Sequence, residues 1–146
     1  MSAPENEDAM HREIAGALDW LRAHAAAGAQ LHADTRTLSA GDVFFAYAVD
    51  GADSRGHIAT AFERGAAAVL YQPEGFSGHV DAARAHAVPQ LDRVAGEIAS
   101  RWYGAPSESM RTIGVTGTNG KTSCTQWIAA ALTALGEPCA VIGTLG

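Results

Sequence analysis

Apolar residues in the first part of the chain recur at two different spacings. Residues 11–27 show helical spacing, with one apolar face made of Ile14, Ala17, Leu18 and Leu21. Dense β-prone runs at 43–49 and 66–71 predict strands, and a helical stretch at 58–64 separates them. A short apolar piece at 87–89 and a helix from 91 to about 102 follow. This alternation of helices and strands predicts an α/β fold.

The segment 103–109 is rich in Gly, Pro and Ser, which is typical of a linker. We therefore expect a domain boundary there, with domains at 1–105 and 106–146. Beyond it, 112–115 and 139–143 read as short buried strands, and the intervening helix ends before Gly136 and Pro138. The apolar face of that helix is predicted to contain Cys124, Trp127, Ile128, Ala131, Leu132 and Leu135. Strand, loop, helix and strand form a βαβ unit.

The loop inside this unit carries the only lysine of the chain. Lys121 follows Gly120 and precedes Thr122, whereas every other basic residue is an arginine. A glycine-rich loop between a strand and a helix predicts a phosphate-binding loop for ATP or GTP, whose amides surround the phosphates. Lys121 is expected to reach the β- and γ-phosphates as a catalytic residue, and the Thr122 hydroxyl to bind Mg²⁺. The predicted ATP-binding residues are Gly117, Thr118, Asn119, Gly120, Lys121, Thr122 and Ser123.

Charge and composition narrow the class of partner. The net charge of −6 argues against a nucleic-acid partner, which calls for clustered Lys and Arg. The N-terminus contains Glu5, Glu7 and Asp8 and no apolar run, so it does not resemble a signal peptide. No stretch approaches the roughly 20 apolar residues that a membrane span needs. We expect a cytoplasmic monomer, with Cys124 and Cys139 as small core residues rather than a disulfide or a metal pair.

Several short motifs lie upstream of the loop. They are Ala33-Asp34-Thr35-Arg36, the Ala-Gly-Asp-Val-Phe-Phe-Ala of 40–46, Asp53 with Gly56-His57, and the Glu-Arg-Gly-Ala-Ala-Ala-Val of 63–69. Together these motifs resemble the Mur ligases, which extend the peptidoglycan stem peptide. Residues 116–122 resemble the Mur form of the phosphate loop, which accounts for Val115 where the general motif has glycine. The closing residues 141–146 resemble the MurE type more than the MurF type. The resemblance covers nearly the whole chain.

The resemblance also implies a substrate site in the first domain. The uridine end of UDP-N-acetylmuramoyl-dipeptide is expected at Ala33, Thr35 and Arg36, and at a second group formed by Asp50, Gly51 and Ala52. Thr35 stands where the family has Ser and keeps the hydroxyl. Ser54 and Arg55 interrupt the Asp-Gly-His pattern of the family. Purely structural roles stay open: Asp34 and Thr35 as a turn, Arg36 as a partner of Asp42, and His57 as a packing or capping residue.

The function implied by this resemblance is an ADP-forming amide ligation. ATP, with Mg²⁺, activates the terminal carboxylate of UDP-N-acetylmuramoyl-L-Ala-D-Glu, and the amine of meso-diaminopimelate or lysine then joins it. The implied fold is a small UDP-binding α/β domain followed by the first βαβ unit of the P-loop central domain. Since the remaining catalytic parts of the family are expected beyond residue 146, the chain is expected to be a truncated, inactive fragment.

Other assignments remain open from the sequence. A MurF-type ligase shares the same loop and domain order. A folylpolyglutamate synthase shares the ligase core but tends to have Gly where this chain has Thr122. A non-catalytic module that binds a nucleotide or a UDP-sugar would account for the short chain, but it would leave the parallel strands of the second domain uncovered.

Overall fold

The computed structural model of the chain describes residues 3–143. These residues form two compact units, one ending at Glu108 and the other beginning at Ser109. The closing residues 144–146, which contributed to the MurE resemblance, lie outside the described range.

The first unit is a layered α/β structure. In chain order it contains α1 (Ala3–His24), β1 (Leu31–His32), β2 (Val43–Ala46), β3 (Ala48–Val49), β4 (Ala52–Asp53), α2 (Ile58–Glu63), β5 (Ala68–Tyr71), β6 (Ala85–Ala87), α3 (Leu91–Trp102) and α4 (Pro106–Ser109), the last of which ends at the first residue of the second unit. Strands β1, β2, β5 and β6 pair in that order, and all of the pairs are parallel. The predicted α/β class, with a parallel sheet, is confirmed.

Both faces of the sheet are buried, which explains why its central strands β2 and β5 are continuous runs of apolar and aromatic residues rather than alternating ones. Successive side chains of a strand point to opposite faces, so Val43 and Phe45 pack under α1 and α3 while Phe44 and Ala46 pack under α2. The four predicted apolar residues of α1 are all buried in the first of these clusters. Helix α1 itself begins at Ala3 and ends at His24, earlier at both ends than the predicted 11–27.

The β-prone run at 43–49 does not form one strand. It divides at Tyr47 into β2, in the parallel sheet, and β3, which pairs with β4 in a short antiparallel hairpin. The Ser54 hydroxyl fixes the division, because it accepts from Tyr47 N and donates to Tyr47 O, both at 3.0 Å. Asp50 and Gly51 form the turn with φ of 49° and 80°, left-handed values that suit a tight hairpin.

The end of α3 is tied to the sheet. Trp102 Nε1 donates to Ala29 O at 2.9 Å, and Leu31 N donates to the Tyr103 hydroxyl at 2.9 Å. Helix α3 has the predicted bounds of 91–102. Tyr103 is the first residue of the predicted linker, and its bond with Leu31 N anchors its side chain to the first unit.

The second unit contains one long helix, α5 (Lys121–Ala134). The strands predicted at 112–115 and 139–143 are not formed, so that prediction was wrong for the described residues. A parallel pair needs cover on both faces, and a single helix cannot supply it. The partly buried positions of α5 are Thr125, Ile128, Ala129 and Leu132, whereas Trp127 and Leu135 of the predicted face are 73% and 80% exposed. Cys124 and Cys139 are exposed as well, so the prediction that they are core residues was wrong.

Candidate functional site

A pocket of about 420 Å³ opens where the chain leaves β1 and where the β3–β4 hairpin follows β2. Ligand sites of parallel α/β sheets lie at the carboxyl ends of the strands, and this pocket has that placement. Its lining residues are Ala33, Asp34, Thr35, Arg36, Phe44, Ala52, Asp53, Ser54 and His57. Apolar and charged side chains thus share one concave surface.

One wall is the segment that follows β1. Asp34 begins a 3₁₀ turn (Thr35–Thr37) by accepting from Arg36 N at 2.9 Å. The Arg36 guanidinium returns to the same carboxylate, with Nη2 2.6 Å from Oδ2. These side-chain bonds, followed by the backbone bond, lower the pKa of Asp34 to about 2. Arg36 thus pairs with a carboxylate, as the structural alternative predicts, but that carboxylate is Asp34 and not Asp42. The turn-shaping role of Asp34 is confirmed.

The other wall belongs to the hairpin. Asp53 accepts from Arg55 N at 3.0 Å, and from Nε and Nη2 of the same side chain at 2.8 Å each. Arg55 is buried, and its Nη1 also donates to Glu74 O. The side-chain bonds from Arg55, then its backbone bond, lower the pKa of Asp53 to about 2. Arg55 thus fixes one wall of the pocket to the loop that follows β5.

A small network supports the first wall from behind. His32 contacts Thr37 Oγ1 through Nδ1 and Asp42 Oδ2 through Nε2, both at 3.0 Å. Burial alone would raise the pKa of Asp42, but the N–H groups of Gln30 and Ser39 and the His32 ring hold it below its usual value. The segment between β1 and β2 is therefore held at both ends.

The predicted substrate residues fall into two groups. Ala33, Thr35, Arg36 and Ala52 come together around the pocket although they are distant in sequence. Asp50 and Gly51 occupy the hairpin turn and are not among the lining residues. Among the described residues, nothing hydrogen-bonds the Thr35 hydroxyl, so it is available to a ligand.

Sequence reasoning missed part of the lining. His57, for which packing or capping was favoured, lines the pocket and makes no side-chain capping bond to α2. The sequence pattern marks Asp53 only as part of a motif, and it marks Ser54 and Arg55 only as an interruption of that motif. The available signal was a repeat: Asp53-Ser54-Arg55 has the same pattern as Asp34-Thr35-Arg36.

The predicted phosphate loop, described within its own unit, leads directly into α5. Gly120 is the N-cap, with φ of 76°, a left-handed value that glycine adopts without strain. The first hydrogen bond at the helix start runs from Cys124 N to Gly120 O at 2.9 Å. The amides of Lys121, Thr122 and Ser123 precede this bond, and such amides form an anion site at the start of a helix.

Lys121 lies over the same loop. Its Nζ is 2.5 Å from Gly117 O, so the ammonium is turned back toward the start of the loop. Thr122 and Ser123 are exposed on the first turn of the helix. Free amides, an ammonium and exposed hydroxyls are the groups that a triphosphate and its Mg²⁺ require, so the residues present fit these ligands.

Several known proteins are similar to this chain. The profile of the Mur ligase middle domain matches residues 115–146. The UDP-N-acetylmuramoyl-L-alanyl-D-glutamate–2,6-diaminopimelate ligase of Ralstonia nicotianae is 52% identical over an alignment of 139 residues that covers 91% of this chain and 27% of that protein. The protein of the same name from Janthinobacterium sp. strain Marseille is 52% identical over 134 residues, or 91% of this chain and 26% of its own length. The chain belongs to the Mur ligase family. It spans about a quarter of the length of these Mur ligase relatives.

Solved Mur ligase structures share its fold. A UDP-N-acetylmuramoyl-L-alanyl-D-glutamate–2,6-diaminopimelate ligase matches 80% of this chain with a TM-score of 0.54 and 27% identity, over 24% of its own chain. The MurF ligase from Thermotoga maritima in complex with ADP matches 73% of this chain with a TM-score of 0.56, over 23% of its own chain. The identity in that second comparison is 21%, so it supports the fold alone.

Two other kinds of feature are absent from residues 3–143. None of the helices there has the length and apolar character needed to cross a bilayer. The same residues contain no cluster of three or more His, Cys, Asp or Glu side chains suited to a metal ion.

Proposed function

We propose that this chain supplies two binding sites of an ADP-forming amide ligase of peptidoglycan synthesis. Residues 1–105 would form a UDP-sugar-binding domain, and 106–146 would begin the ATP-binding domain. The ligase would add the third amino acid to UDP-N-acetylmuramoyl-L-Ala-D-Glu in the cytoplasm, acting as a monomer. The names of the relatives support 2,6-diaminopimelate rather than lysine as that amino acid.

One observation carries the substrate assignment. Ala33, Thr35 and Arg36 are separated from Ala52 by an entire strand and a hairpin arm, yet they border one pocket. Such convergence is expected of a binding site. Arg36 offers an exposed cation for the diphosphate, and Thr35 offers a hydroxyl that no residue within 3–143 hydrogen-bonds.

The phosphate loop would bind ATP through the amides at the start of α5 and through Lys121. The ammonium would stabilise the charge that moves between phosphate oxygens during transfer. Mg²⁺, when bound, would neutralise phosphate charge, and the Thr122 hydroxyl would be the side-chain group that holds it. Thr118 and Asn119 complete the loop, together with Gly117 and Gly120.

A hybrid enzyme tests this proposal. The segment of the Ralstonia nicotianae ligase that matches this chain would be replaced by residues 1–146. The hybrid should release ADP only when UDP-N-acetylmuramoyl-L-Ala-D-Glu, 2,6-diaminopimelate and ATP are all present. Lys121→Ala in the hybrid should lower kcat by about 10²–10³, the effect of deleting one preorganised electrostatic donor.

The controls separate binding from catalysis. Lys121→Arg keeps the charge but not the compact ammonium, so it should recover little of the activity. UDP binding should be the same in all three hybrids. A folded hybrid that binds UDP and ATP without ligating would contradict the proposal and favour the non-catalytic binding module.

A further inference from the structure

The pocket is bordered by the same local structure twice. In Asp34-Thr35-Arg36 and in Asp53-Ser54-Arg55, the aspartate accepts from the backbone N–H of the arginine two residues later, at 2.9 and 3.0 Å. In both tripeptides the guanidinium then binds the same carboxylate through Nε and Nη2. The first tripeptide leads into the 3₁₀ turn Thr35–Thr37, and the second leads into the 3₁₀ turn Arg55–His57.

The two tripeptides differ in the burial of the arginine side chain. The Arg36 side chain is 86% exposed and has no contact besides Asp34 among the described residues, so an anion can draw it away. The Arg55 side chain is 9% exposed, contacts the carbonyls of Gln72 and Glu74, and lies over the Phe76 ring. In the first copy the cation can move, whereas in the second copy the carboxylate is held in place.

Counting acceptor sites separates the two carboxylates further. An ionised carboxylate oxygen can accept about two hydrogen bonds. Each carboxylate accepts from three N–H groups of its arginine. In Asp34 the one Nε–H is shared between both oxygens, at 3.0 and 2.9 Å, beside the bonds from Arg36 N to Oδ1 and from Nη2 to Oδ2. In Asp53 the Nε–H binds Oδ1 alone, so among the described residues Oδ2 accepts only from Arg55 Nη2. One acceptor site on Asp53 Oδ2 is left, on a side chain that is half exposed at the pocket.

We propose that Asp53 binds a ribose hydroxyl of the uridine nucleotide, with Arg55 as the residue that positions it. A carboxylate that accepts from ribose hydroxyls is a recurring device in nucleotide sites. The carboxylate stays ionised at neutral pH because Arg55 is bound to it, and a charged acceptor makes a stronger hydrogen bond than a neutral one. This assignment rests on the proposed function, because it takes UDP as the occupant of the pocket.

Calorimetry with two ligands tests the assignment on the 146-residue chain. UDP and 2′,3′-dideoxyuridine 5′-diphosphate differ only in the ribose hydroxyls. The wild-type chain should bind UDP about tenfold or more tightly than the dideoxy analogue, as expected for a hydrogen bond to a charged group. In Asp53→Asn this preference should fall to within about twofold, through weaker binding of UDP and unchanged binding of the analogue.

Asp34→Asn is the matched control, since it alters the same tripeptide geometry in the same pocket. It should change the affinities for the two ligands by the same factor and preserve the preference. Asp53→Glu retains the negative charge opposite Arg55 but moves the carboxylate by one methylene, so it should also lose the preference. It serves as the test variant if Asp53→Asn fails to fold.

The binding measurements distinguish a failure of the ribose assignment from a failure of the proposed function. A preference for UDP that survives in both Asp53 variants would overturn the ribose assignment and leave UDP binding intact. A wild-type chain that binds both ligands equally would do the same. A folded wild-type chain that binds neither ligand would overturn the proposed function, and the Asp53 assignment with it.

Discussion

His32 Nε2 lies 3.0 Å from Asp42 Oδ2, and this contact closes the segment between β1 and β2. The same ring reaches the Thr37 hydroxyl, which itself donates to Asp34 O at 3.1 Å. The ring therefore connects the Asp42 carboxylate to the Thr37 hydroxyl, and that hydroxyl connects it to the backbone of Asp34. The wall that carries Asp34 and Thr35 is thus fixed through one histidine.

Replacing that histidine should loosen the fold. The two ring nitrogens of His32 contact Thr37 and Asp42 on different sides of the ring. The amide group of a glutamine cannot reach both partners in this way, so His32→Gln loses one of the two bonds. We expect the free energy of unfolding to fall by about 1–2 kcal/mol, as for a hydrogen bond to a charged group. Urea unfolding of the chain measures this. His79→Gln, at an exposed position, is the control and should leave stability within about 0.5 kcal/mol. Equal effects of the two substitutions would show that the network adds nothing.

The aspartates of the pocket should make stability depend on acid pH. The pKa values of Asp34 and Asp53 are lowered from 3.8 to about 2. A carboxylate with a depressed pKa in the folded state stabilises the fold above its unfolded value, and this contribution is lost as the pH falls through the folded value. Stability should therefore decline between pH 4 and pH 2, and the decline should be shallower in Asp53→Asn. A pH profile of the urea midpoint that is identical in the two proteins would contradict this account.

The two arginines of the pocket should differ in their effect on stability. Arg55→Met removes a buried cation that binds Asp53 and the Glu74 carbonyl, whereas Arg36→Met removes an exposed one. Arg55→Met should lower Tm by about 5 °C or more, given that 1 kcal/mol shifts Tm of a domain of this size by about 4–8 °C. Arg36→Met should change Tm little, because exposed ion pairs contribute little to stability. Thermal unfolding followed by circular dichroism checks both. The reverse order would mean that the burial of Arg55 has no energetic consequence.

Amide exchange should separate the two units of the chain. Strands β2 and β5 are paired and covered on both faces, so their amides should exchange slowly. Residues 112–115 and 139–143 form no strand and should exchange fast. Hydrogen–deuterium exchange with mass spectrometry measures both regions. Strong protection at 112–115 would show that the predicted βαβ sheet is formed after all.

Much of the fold could be predicted from local patterns. The face of α1 and the bounds of α3 follow from helical spacing, and the central strands β2 and β5 follow from their apolar runs. The short strands β1 and β6 each contain a histidine and were not predicted. The division at Tyr47 could not be predicted, because it depends on the Ser54 hydroxyl seven residues later. The prediction of strands on both sides of the phosphate loop was wrong, because strand formation depends on neighbouring strands as well as on the residues of the strand itself.

The candidate site was predictable to a similar degree. Thr35 and Arg36 belong to a recognisable motif, and Ala52 to a short loop after a strand. The role of Arg55 is set by its contacts with Glu74 and Phe76, which are distant in sequence. His57 faces the pocket because a 3₁₀ turn precedes α2. Such tertiary contacts leave no periodic signal in the chain.

The central claim is that UDP binds in the pocket between the Asp34 and Asp53 walls. Titration of the ¹⁵N-labelled chain with UDP, followed through amide chemical shifts, tests it most directly. The account predicts that the largest shifts cluster at Ala33, Thr35, Ala52, Ser54 and His57, and that Thr35→Ala weakens them. A folded chain whose spectrum does not change with UDP, or changes only at residues 116–123, would contradict it.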